Sequence, residues 1–156
     1  MSSRAARAVA DLSAGKIVAS VEIAAPIERV FHAITDPDAI PRWWGSADTY
    51  RTTSHTADLR PGGQWRSVGI GSDGNEFSVG GEFLTIEPPH RLTQTWNPSW
   101  DGGHTTTIHY RLESLADGGT RVTVQHEGFG SRDESCKGHS EGWQRVLGWL
   151  AGYVST

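Results

Sequence analysis

The stretch His139-Ser140-Glu141-Gly142-Trp143-Gln144-Arg145-Val146-Leu147-Gly148-Trp149-Leu150-Ala151-Gly152-Tyr153-Val154 decides how the rest of the chain is read. Trp143, Val146, Leu147, Leu150 and Val154 stand at i, i+3, i+4, i+7 and i+11. That spacing draws one apolar stripe along a helix of 3.6-residue period. Nearly everything upstream reads as short strands. A single amphipathic helix after a run of strands needs an apolar surface to lie on, and only the sheet can supply it. The expected architecture is therefore α+β: a curved antiparallel sheet gripping one long C-terminal helix, with any space between them as the site.

A chain of 156 residues suits one domain with a core large enough to hold a cavity. Hydrophobic residues make up only 36% of it, while seven are tryptophan and 19 are glycine, so the core must be built from few, large side chains. The net charge of −4 comes from 14 basic and 18 acidic residues with no long run of one sign. Neither nucleic acid nor an anionic membrane is expected as a partner. No stretch approaches the length of a membrane span, and no signal-peptide core precedes residue 12. The lone Cys136 cannot form an internal disulfide, which fits a reducing, cytoplasmic setting.

Residues 1–16 read as an N-terminal extension, either a loose helix through Ala5, Ala6, Ala8, Val9 and Leu12 or a frayed end; residues 17–156 read as the single folded domain. Ile17, Ala19, Val21 and Ile23 alternate on a first strand. Pro26 then opens a helix whose stripe is Ile27, Val30, Phe31 and Ile34, and Asp36-Pro37 stops it. A further turn is expected near residues 37–40. Strands follow near 48–58, 63–70, 76–87, 91–97, 104–115 and 119–127, separated by Gly-, Pro- and Asp-rich turns. Gly80-Gly81 predicts a bulge or sharp curl. Ser131 and Glu134 have capping-box spacing, and Gly138 with Gly142 predicts a last helix whose firm part starts near Ser140.

Several short motifs occur in order: Ala25-Pro26-Ile27-Glu28-Arg29-Val30-Phe31, Trp43-Trp44-Gly45, Leu59-Arg60-Pro61-Gly62-Gly63-Gln64-Trp65, Glu87-Pro88-Pro89-His90-Arg91-Leu92, Arg121-Val122-Thr123-Val124-Gln125-His126-Glu127-Gly128 and Gly142-Trp143. Together they resemble the SRPBCC (START-like) superfamily, and within it the bacterial activator of heat-shock-protein-90 ATPase homologue-like proteins, over roughly residues 17–154. The resemblance implies a helix-grip fold: about six or seven antiparallel strands, two short helices after the first strand, and a long C-terminal helix across the concave face. It also implies that Trp65 and Trp96 point inward and that Trp43 or Trp44 sits at the mouth. The superfamily includes lipid and hormone carriers, polyketide cyclases, ring-hydroxylating subunits and co-chaperone modules. Nothing in the sequence itself argues for chaperone binding.

The candidate site is chiefly aromatic. Trp43, Trp44, Trp65, Phe77, Phe83, Trp96 and Trp143 can wall a cavity for an apolar or aromatic ligand, with Leu147 and Leu150 as its floor. Gln94 shares parity with Trp96, and Ser67 with Trp65, so both place polar groups inside. His126 follows Val122 and Val124 in parity, and His139 lies one turn before Trp143, so the two are expected to meet near one end of the cavity. They are the candidate acid–base pair if the protein is catalytic. His109 is expected to face outward. No nucleotide loop, nucleophile elbow or metal-ligand spacing is present, and no cofactor or metal is expected. Non-catalytic binding of a small hydrophobic molecule ranks first. A co-chaperone-like or regulatory interaction module, and a cyclase-, dehydratase- or hydrolase-type enzyme using His126 and His139, are the alternatives. Either a monomer or a homodimer fits.

Overall fold

The computed structural model describes residues 4–155. Eight strands and three helices follow one another: β1 (Arg4–Asp11), β2 (Lys16–Ile23), α1 (Ile27–Thr35), α2 (Ile40–Trp43), β3 (Tyr50–Ala57), β4 (Gln64–Gly71), β5 (Glu76–Glu87), β6 (Arg91–Pro98), β7 (Thr106–Ser114), β8 (Thr120–Glu127) and α3 (Asp133–Val154). The strands form one antiparallel sheet in the order β1-β2-β8-β7-β6-β5-β4-β3. This is the helix-grip arrangement, with two short helices between β2 and β3.

The eighth strand corrects the reading of residues 1–16. Residues 1–3 lie outside the described residues, but residues 4–11 form neither a helix nor a frayed end. They pair with β2 from Arg4 opposite Glu22 to Asp11 opposite Lys16. Ala6, Ala8 and Ala10 alternate toward the core and pack against it. Alanine favours a helix by only a few tenths of a kcal/mol over most residues, so a free strand edge and an apolar surface outweigh it.

Helix α3 packs on β1 and β2, and its stripe of Trp143, Val146, Leu147, Leu150 and Val154 is buried. Toward its start the buried face continues through Cys136 and Ser140, so the helix runs unbroken from Asp133 rather than from Ser140. The expected capping box is absent: Arg132 is the N-cap and no side chain bonds the free amides. Asp133 and Glu134 in the first turn compensate through the helix dipole. Gly138 and Gly142 do not break the helix, and a Cβ at either position would meet nothing within 4 Å. Gly138→Ala and Gly142→Ala should each raise the unfolding free energy by about 1 kcal/mol in urea denaturation, because alanine removes backbone freedom without a clash.

Besides a register shift at the start of β1, between Arg4 and Arg7, two bulges shape the sheet. The one expected at Gly80-Gly81 lies slightly further on, between Phe83 and Thr85. Gly81 instead permits a close approach of strands, since a Cβ there would fall 2.1 Å from the Thr95 carbonyl oxygen. A second bulge lies between Thr52 and Ser54 on β3. Inside, Ile17, Val21, Ile108, Leu112, Val122, Val124, Leu147 and Leu150 form a dense core on the β1–β2–β8–β7 side. The other half of the concave face is not filled.

Candidate functional site

The unfilled half is a cavity of about 530 Å³ lying between β3–β7, α1, α2 and the first half of α3. That is ample for a drug-sized ligand. Five tryptophans line it: Trp44, Trp65, Trp96, Trp100 and Trp143. Trp44 stacks on Trp96 at 6.2 Å between ring centroids and meets Trp143 edge-on at 6.0 Å. Trp65 lies 5.7 Å from Trp96, and Trp100 lies 6.3 Å from it. Trp96 is thus the centre of the wall.

Each inner indole N–H is committed. Trp65 donates to the Thr95 carbonyl at 3.1 Å, and Trp44 donates to the Tyr50 hydroxyl at 3.0 Å. Trp96 donates to His139 Nε2 at 3.1 Å, and Trp143 donates to His126 Nδ1 at 2.9 Å. An indole can only donate, so these bonds settle the tautomers of both histidines. His126 must carry its proton on Nε2, which donates to Thr106 Oγ1 at 2.6 Å; Thr106 in turn donates to the Trp96 carbonyl at 3.4 Å. His139 carries its proton on Nδ1 and donates to the Ser135 carbonyl at 2.8 Å. Two directed runs therefore meet at Trp96: Trp143 to His126 to Thr106 to the Trp96 carbonyl, and the Trp96 indole to His139 to the Ser135 carbonyl.

The expected meeting of the histidines occurs, with ring centroids 5.4 Å apart. All four ring nitrogens already have partners inside the protein. Burial, with His139 adding to it, pushes the His126 pKa well below the usual histidine value. Burial also lowers that of His139, against the opposing pull of the Ser135 carbonyl and the nearby Asp101 carboxylate. Both rings are neutral hydrogen-bond acceptors for tryptophan at neutral pH.

Among the residues expected at the site, Trp44, Trp65, Ser67, Phe77, Gln94, Trp96, His139 and Trp143 line the cavity, as does Phe83. Four do not. Trp43 is buried and anchors α2 to α1 by donating to the Ala33 carbonyl at 2.9 Å. His126 is fully buried behind the wall. Leu147 and Leu150 are fully buried in the dense core, and α3 lines the cavity only as far as Val146. His109 is on the outer face as expected, bonded to Glu127 at 2.8 Å.

Tyr50, Thr52, His55, Trp100 and Tyr110 also line the cavity and were not among those residues. The bulge after Thr52 hides the first group: it switches the alternation, so that Tyr50, Thr52 and His55 all turn inward. His55 bonds Ser67 and stacks on Trp65 at 5.9 Å, and burial lowers its pKa to about 4. Trp100 sits in the turn after β6, where its size was the one available signal. It stacks on His139 at 6.1 Å, half exposed at the mouth. Asp101 beside it holds the turn against α3 through Arg132 at 2.8 Å and Ser135 at 2.6 Å.

The model of one protein family, Activator of Hsp90 ATPase homolog 1-like protein, matches residues 24–155. The chain belongs to this family. Solved structures of similar fold include a protein from Rhodobacter sphaeroides, at a TM-score of 0.81 and 22% identity, covering 96% of this chain and 98% of that one. A protein from Chromobacterium violaceum is 25% identical at a TM-score of 0.75, over 91% of this chain and 98% of its own. CalU16 from Micromonospora echinospora is 26% identical at a TM-score of 0.70, over 99% of this chain and 87% of its own. None of the curated proteins matches the chain in sequence. The matched segment holds β3 to β8, the paired short helices and α3, and β1 and β2 lie before it. Among the described residues no helix is long and apolar enough to cross a membrane, and no cluster of three or more His, Cys, Asp or Glu side chains could hold a metal ion.

Proposed function

We propose that this protein binds a small apolar or aromatic molecule in the cavity, without changing it chemically. The observation that carries this reading is the wall of five tryptophans around about 530 Å³ of unfilled space. Such a surface presents ring faces and edges suited to stacking, and each aromatic pair adds about 0.5–1.5 kcal/mol beyond area burial. The histidine-based enzyme reading has less support, because His126 and His139 would each have to release a tryptophan before taking a substrate proton.

Titration with the neutral fluorophore 1-aminoanthracene tests the reading. Saturable enhancement with a blue shift is the expected result. Gly142→Phe should abolish it while leaving the fold intact by circular dichroism, since the new ring grows from α3 into open cavity space. No enhancement with the unaltered protein would count against binding.

A further inference from the structure

The ligand-binding reading leaves open what the cavity selects, and its polar lining is informative. Gln94 on β6 is only 9% exposed and lines the cavity. It stands in an inward-facing row with Phe83, Ile108 and His126. Its side-chain amide makes no hydrogen bond among the described residues. Tyr110 on β7 pairs with Leu92, two residues before Gln94, and so is the diagonal neighbour of Gln94. Its hydroxyl is buried at the cavity and likewise unbonded, and burial pushes its pKa upward. Thr52, across the cavity on β3, is the third such group. Among the described residues no side-chain nitrogen or oxygen closed off from all space lacks a partner, so what these groups face is the cavity.

Two further polar side chains reach the cavity, the Tyr50 hydroxyl, which accepts from Trp44, and the His55 ring, bonded through Nδ1; most of the remainder is already paired. The inner indole N–H groups are committed, Ser67 is bonded to His55, and Thr35 donates to the Phe31 carbonyl. The charged lining residues are Asp101, already paired with Arg132, and the exposed Glu134 and Arg145. A carboxylate carried to the level of Gln94 would find no cation there, and an isolated buried charge is strongly disfavoured.

From this arrangement we infer that the cavity selects a flat, uncharged ring system whose buried end carries an N–H beside a C=O, a lactam-type edge that pairs with the Gln94 amide while the rings lie among the tryptophans. One edge of a glutamine amide presents one acceptor beside one donor in a single plane, and the complementary partner presents the same two in reverse. A hydrocarbon of equal size strips water from that amide and leaves both ends unpaired, whereas a site built to hydrogen-bond a ligand group rejects the analogue lacking it. Tyr110 supplies a further donor beside the same edge.

The inference rests on the ligand-binding reading, and the test separates the two. The full chain, 15N-labelled, is titrated with 2-quinolone, naphthalene and 2-naphthoate, and shifts of the tryptophan indole resonances give each dissociation constant. The expected result is 2-quinolone binding about tenfold or more tighter than naphthalene, as one well-made buried hydrogen-bonding edge supplies, with 2-naphthoate weakest. Gln94→Leu, similar in volume and apolar, should erase the preference without weakening naphthalene, and Tyr110→Phe should weaken 2-quinolone several-fold. Equal binding of naphthalene and 2-quinolone, a preference that survives Gln94→Leu, or tightest binding of 2-naphthoate overturns the lactam inference and leaves apolar binding standing. Failure of all three probes overturns the ligand-binding reading, and this inference with it.

Discussion

His126→Ala is expected to lower the unfolding free energy by about 4 kcal/mol and the melting temperature by roughly 8–16 °C. Two costs combine. The ring is fully buried, so its loss leaves a void among Phe129, Trp143 and Trp96 that close packing cannot fill without strain. Its removal also strands the Trp143 indole N–H and takes the donor from Thr106, two polar groups with no water to turn to. His126→Gln keeps an acceptor and a donor on a smaller side chain and should recover part of the loss. Urea unfolding with tryptophan fluorescence measures both variants. A loss under 1 kcal/mol for His126→Ala would mean that the directed hydrogen-bond run through His126 is not what holds the wall.

Acidification is the second large effect. Unfolding should become easier as the pH falls from 7 toward 4, before most carboxylates titrate. His55, His126 and His139 all have folded pKa values below the usual 6.5, His55 at about 4. Above pH 6.5 these residues are neutral in both states and make no difference. Below it the unfolded chain binds protons that the folded protein refuses, so each still-neutral histidine costs about 1.4 kcal/mol of stability per pH unit. For His55 the loss continues down to about pH 4 and then levels off. Unfolding free energies measured in urea at pH 7, 6 and 5 should therefore fall steadily, and His55→Asn should flatten the slope. Stability unchanged between pH 7 and 5 would contradict the neutral state of these rings.

The elements were largely legible because their periodicities are clean. The α3 stripe and the alternation of Ile108, Tyr110 and Leu112 each have one physical solution. What escaped the sequence was set by tertiary structure. Arg4–Asp11 has a helix-former's composition and becomes a strand because β2 offers an edge. The β3 bulge, which no residue type announces, brings Tyr50, Thr52 and His55 inward together. Parity correctly sent Gln94, Ser67 and His126 toward the interior, but parity cannot tell a cavity wall from the layer behind it. Leu147, Leu150 and Trp43 were misplaced for the same reason: inwardness was readable, and the boundary between filled and unfilled interior was not.

The strand order also bears on how this protein reaches its fold. β3 to β8 form a meander of neighbours in sequence, and β1 with β2 form a hairpin. Only the β2–β8 seam joins the two, pairing Lys16 with Glu127 and Ile23 with Thr120 across about a hundred residues of chain. Closing so long a loop costs entropy before any seam contact rewards it, and such non-local pairing slows folding. Until the seam closes, β8 exposes an unpaired edge and α3 lacks the β1–β2 surface it packs on. The hollow half of the sheet is built from sequence-neighbour hairpins alone and the solid half waits on one distant seam, so the sheet side of the binding wall is poised to assemble before the seam that seats α3 and its Trp143 over it.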